Sequence, residues 1–133
     1  MIRPVLALVA QVVLALVVSL LVGAIWQGIV GGTPAEAARR LFLFMDIGLG
    51  VWTVVLIVLT LRRRALPGIG VTLIVALVAV VLNALTVFVV GTVQGEGVVL
   101  FLGYAFEAGV VFLVAVLIAA PIIHRLFRPA VKP

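Results

Sequence analysis

Long apolar runs separated by short polar breaks make up nearly all of this chain. The runs extend from Val5 to Val30, Leu41 to Leu61, Ile69 to Val90 and Val98 to Ile123, and each reaches the roughly 20 residues that a helix needs to cross a bilayer. They are apolar all round, whereas the helices of a soluble domain of this size keep a polar face toward water. The pattern predicts an all-α integral membrane bundle of four transmembrane helices, one domain over residues 1–133, with 124–133 as a tail. The first run follows Arg3-Pro4 and exceeds the roughly 7 to 15 apolar residues of a secretory signal core, so it reads as a retained helix.

The breaks are informative. Thr33-Pro34-Ala35-Glu36 has the spacing of a capping box with proline at the first helical position, so the second helix is expected to start outside the membrane. Glu36 then has Arg39 and Arg40 one turn away. Arg62, Arg63 and Arg64 end that helix, and Pro67-Gly68 supplies a tight turn to the third. The loop 91–97 is equally short, so the second and third helices, and the third and fourth, are expected to be antiparallel neighbours. Pro121 is expected to bend the fourth helix near Leu117, and the tail from Arg128, with Pro129 and Pro133, to be non-helical.

Charge sets an orientation. Arg3, Arg62, Arg63, Arg64, Arg125, Arg128 and Lys132 fall on one side of a four-span arrangement, and only Arg39 and Arg40 on the other. That bias predicts a multi-pass cell-membrane protein with both termini cytoplasmic. The basic balance therefore points to anionic headgroups, and nucleic-acid binding has no motif behind it. The chain has no cysteine and one histidine, which excludes disulfides, thiolate metal sites and paired haem ligation. No cofactor or metal is expected, and His124, beside Arg125, is expected at the membrane surface.

The two halves echo one another. Ala7-Leu8-Val9-Ala10 recurs as Ala76-Leu77-Val78-Ala79, Leu41-Phe42-Leu43 resembles Leu100-Phe101-Leu102, and Asp46-Ile47-Gly48 falls opposite Glu107-Ala108-Gly109. Two helical hairpins in parallel repeat would produce this pattern, as would chance alignment of low-complexity apolar sequence.

Candidate chemistry rests on acids inside apolar runs, because a carboxylate in hydrocarbon is costly and rarely faces lipid. At ~1.5 Å per residue, Asp46 lies roughly 8 Å and Glu107 roughly 13 Å inside their outer helix ends. Asn83, Thr86, Tyr104 and Gln27 fall in the same half of the bundle. Helical spacing groups Asp46, Gly50, Thr53, Ile57 and Thr60 on one face, Ala76, Ala79, Asn83, Thr86 and Val90 on another, and Gly103, Tyr104, Glu107 and Val110 on a third. No cation is evident deep in a span, so each acid would hold a proton or bind a cation. Two readings follow. Asp46, Glu107, Asn83, Thr86, Tyr104 and Gln27 form an outward-opening ion or substrate site, or a protonated Glu107 bonded to Asn83 acts as interhelical glue.

Helix one carries small or polar residues at every fourth position from Ala7 to Gly31, and Ala15, Ser19 and Gly23 are the expected close contact, within one chain or at a subunit seam. Trp26 and Trp52 fit interfacial or lipid-facing positions. Small multidrug transporters have this size and span number, but they share a first-helix glutamate where this chain has only Gln11, Ser19 and Gln27. No family resemblance follows. The expected function is non-catalytic, as an accessory subunit or homo-oligomer in the lipid bilayer or a larger membrane complex. The alternative is a small proton- or cation-coupled carrier or channel. An enzyme is disfavoured, since no nucleophile and base, ligand set or nucleotide loop can be assembled.

Overall fold

A computed structural model of the chain describes residues 2–95 and 98–127, with the backbone alone at 94 and 98–101. Arg128, Pro129, Lys132 and Pro133 lie outside the described residues. The described residues form five helices: α1 (Ile2–Val30), α2 (Pro34–Phe44), α3 (Asp46–Arg63), α4 (Ile69–Gln94) and α5 (Val98–Leu126). Three of them, α1, α4 and α5, are long and apolar enough to cross a membrane, and α2 with α3 makes a fourth candidate if the bent pair counts as one span. Three to four such spans are compatible with a multi-pass membrane protein.

The termini of the helices follow the local chemistry. Thr33 caps α2 with extended backbone and accepts a hydrogen bond from the Glu36 amide at 3.2 Å, and Pro34 occupies the first turn. Arg64 ends α3 in the left-handed conformation at φ 53°, and the extended Gly68 precedes α4. Gly95 closes α4 at φ 73°, its amide bonded to the Gly91 carbonyl at 2.9 Å. α5 is assigned as one helix from Val98 to Leu126, with Pro121 inside it.

The expected single second helix is broken. α2 and α3 meet at Met45 and are bent by 65°, although neither glycine nor proline occupies the joint. Met45 lies at φ −125° and ψ 9°, outside the helical range. The halves of the chain differ here, because α5 has no corresponding break.

Packing places α1 against α5 and α2, α3 against α4, and α4 against α5, with a lesser contact of α1 with α3. The stripe on α1 is buried at Ala7, Gln11, Ala15, Ser19, Gly23 and Gln27. A four-residue step drifts around a helix, and the stripe stays buried because its partner changes along the way. A Cβ at Gly23 would stand 3.2 Å from that of Ala37 on α2 and 3.7 Å from Val111 on α5. These small residues therefore pack within one chain.

Trp52 is in the core, not at an interface. It is fully buried, packs edge-on against Phe112 with ring centroids 5.2 Å apart, and donates its indole N–H to the Thr72 carbonyl at 3.4 Å. The buried face of α3 is Gly48, Trp52, Leu56 and Thr60, while Asp46, Gly50 and Ile57 of the expected face are exposed. Ala76, Ala79 and Asn83 on α4 are buried as expected, and Val90 is exposed.

Candidate functional site: two polar clusters between helices

The first cluster centres on Glu107, one turn from Tyr104 on α5. Its Oε1 accepts hydrogen bonds from Arg40 Nη1 at 3.0 Å, Gln27 Nε2 at 2.9 Å and Trp26 Nε1 at 3.0 Å, and its Oε2 is 3.2 Å from Arg40 Nη1. Adjacent residues at the end of α1 thus supply two donors and α2 supplies the charge. Arg40 also donates from Nε to Glu36 at 3.3 Å and lies over the Tyr104 ring, 4.4 Å from its centroid. Cation–π contact operates within about 6 Å, so the ring holds the guanidinium from the face that the carboxylates leave open. Phe44 supports Tyr104 in turn, with centroids 5.3 Å apart.

Arg40 is the residue that sequence reasoning missed. Glu107 has a cation, supplied by a short helix that the break sets apart from α3. The signal for it was the capping box, which fixes where α2 starts and puts Glu36 and Arg40 one turn apart on one face. Depth also changes. Glu107 stands ~28 Å along α5 from Leu126 at ~1.5 Å per residue, comparable with the ~30 Å hydrocarbon thickness. The cluster therefore lies at the end of the bundle opposite Arg125 and Leu126. Its charged side chains are partly exposed, Arg40 at 22% and Glu107 at 27%. The space enclosed among Gly23, Gln27, Arg40, Glu107 and their neighbours is about 10 Å³, room for one water at most.

The second cluster is a clasp at the helix break. In an unbroken helix the Gly48 amide would bond the Phe44 carbonyl. Here the Asn83 carboxamide of α4 stands between them. Its Oδ1 accepts from the Gly48 N–H at 3.1 Å, and its Nδ2 donates to the Phe44 carbonyl. The ladder continues on either side through Met45 to Leu41 and Leu49 to Met45. Insertion of a side chain into the i→i−4 ladder is an established cause of a sharp kink, and it explains a 65° bend without proline or glycine at the joint. Gly48 permits the approach, since a Cβ there would stand 3.2 Å from the Ala79 carbonyl oxygen and collide with the Met45 side chain.

The expected site residues thus separate. Gln27, Tyr104 and Glu107 come together around Arg40, while Asn83 serves the break. Thr86 bonds back to the Leu82 carbonyl of its own helix at 2.9 Å. Asp46 is exposed in the first turn of α3 and joins neither cluster. Its carboxylate suits the positive end of that helix. Of the residues assigned to packing, Ala15 and Ser19 are buried on the α1 stripe, and Gly23 touches the first cluster from below. Among the described residues no three metal-ligating side chains gather. No family model, curated protein or solved structure matches the chain.

Proposed function

We propose that the chain is a four-span membrane protein of one domain, with the bent α2–α3 pair as its second span and both termini in the cytoplasm. It works without catalysis, through helix packing, as an accessory subunit or homo-oligomer. The occupancy of Glu107 carries this reading. Three side chains already donate to the carboxylate, and the space beside it is too small for a substrate. A transport carboxylate must exchange partners, whereas this one ties α1, α2 and α5 together. The seven-to-two distribution of Lys and Arg supports the orientation.

A small proton- or cation-coupled carrier is the second reading, favoured by one feature. Broken spans present helix ends to ions in many transporters, and here the break sets Asp46 at the exposed start of α3. Reconstitution into vesicles holding a pH-sensitive dye separates the two. The scaffold reading expects no proton or cation flux above that of empty vesicles, and a mass in mild detergent above that of one chain. Flux through the parent protein that disappears in Asp46→Asn or Glu107→Gln would replace it with the carrier.

A further inference from the structure

At the end of the bundle opposite Glu107, the start of α1, the α3–α4 turn and the end of α5 meet without filling the space between them. They line an open cavity of about 620 Å³, within the roughly 300–1,000 Å³ of small-molecule sites. Arg3, Arg64 and Arg125 line it, one from each of the three segments, together with His124. Among the described residues no acidic side chain lines it, and Glu36 and Glu107 are engaged at the other end of the bundle.

Two further observations point to a ligand. Arg64 is the one described non-glycine residue with positive φ, at 53°, a position that glycine or asparagine fills at lower cost. An arginine held there at the cavity wall is explained if the cavity has a use for its charge. The Nε2 of His124 is buried and has no hydrogen-bond partner, and polar atoms in that condition ordinarily find one. Next to the cations the wall is apolar, formed by Pro4, Leu66 and Phe127. The flanks of α1 and α5 beside it, with Leu6, Val9, Ile122 and Leu126 among them, are exposed and apolar.

We propose that this cavity is a binding site for the phosphate headgroup of an anionic membrane lipid. Guanidinium groups bind phosphate through paired, charge-assisted hydrogen bonds, and basic pockets between membrane helices take such headgroups. Arginines from three segments line the one cavity, so a single bound headgroup ties three parts of the bundle together. The apolar flanks provide a path for acyl chains, which favours a lipid over free phosphate as the source of the anion. The site is independent of the Glu107 cluster and of the function assigned to it.

The test uses the full chain in nanodiscs of equal phosphatidylglycerol and phosphatidylcholine, released into a native mass spectrometer. The parent protein is expected to retain phosphatidylglycerol about tenfold over phosphatidylcholine. Arg64→Gln with Arg125→Gln removes that preference, and Arg39→Gln at the other end leaves it intact. Equal retention of the two lipids by the parent overturns the proposal without any variant, as does a preference that survives the double substitution. Displacement of the lipid by millimolar inorganic phosphate would make the site one for a free anion and also overturn it. Should the double variant fail to fold, loss of the preference in Arg125→Gln alone supports the site, and its persistence there counts against it.

Discussion

The Asn83 clasp and the Glu107 cluster both join helices through polar groups, but they meet different obligations. Asn83 is neutral, almost fully buried, and serves main-chain groups that the bend at Met45 takes out of the helical ladder. Those groups cannot be left unpaired in a low-dielectric interior. Glu107 and Arg40 are charged, partly exposed, and serve one another. Either charge alone is the problem, and the partner is its solution. A backbone obligation is fixed by the fold, whereas a side-chain obligation can be removed by removing the charge, and the two clusters should respond to substitution accordingly.

The largest effect is expected at the clasp. Asn83→Leu fills similar space but takes the partner from the Gly48 amide and one donor from the Phe44 carbonyl. At roughly 1–3 kcal/mol for each buried group so affected, the loss should be about 3 kcal/mol, read as a lower thermal unfolding midpoint in detergent. A variant as stable as the parent would show that the break does not depend on Asn83. Next comes Glu107→Gln, whose amide oxygen can still accept from Trp26 and Gln27 while Arg40 keeps Glu36 and Tyr104. A loss of about 1 kcal/mol is expected, and a loss matching that of Asn83→Leu would erase the distinction between the clusters. Arg39→Gln sets the floor. That side chain is 65% exposed and 3.8 Å from Glu36, and its replacement should change stability by less than about 0.5 kcal/mol.

The sequence and the structure diverge in the same two places. Apolar runs located the helices closely, because in a bilayer length and composition decide what spans. The cap at Thr33 and the α1 stripe were also legible, since each rests on local geometry, whereas the tight turn expected at Pro67-Gly68 falls instead at Arg64, with Gly68 extended. The break was not. Its cause is the Asn83 amide, 35 residues beyond Gly48, that inserts into the ladder of α2–α3, and a long-range contact leaves no mark on the local pattern. Asp46 was the one local hint, as an acid suited to a helix first turn, but inside an apolar run it read as a candidate ligand. Missing the break also hid Arg40, which sits on the separate α2, and placed Asp46 on the wrong face. Trp52 was misplaced because tryptophan near a span end is commonly interfacial, whereas here Phe112 and the Thr72 carbonyl hold it inside.

A structural tie between α5 and α2 through Glu107 and Arg40 is measured by a double-mutant cycle. Unfolding free energies of the parent, Arg40→Met, Glu107→Gln and the double variant should show a coupling of about 1–2 kcal/mol. The double variant should be more stable than Arg40→Met alone, because the second change removes the carboxylate that the first leaves without its cation. Additive losses, with the double variant the least stable of the four, would show that Glu107 and Arg40 do not tie the two helices together.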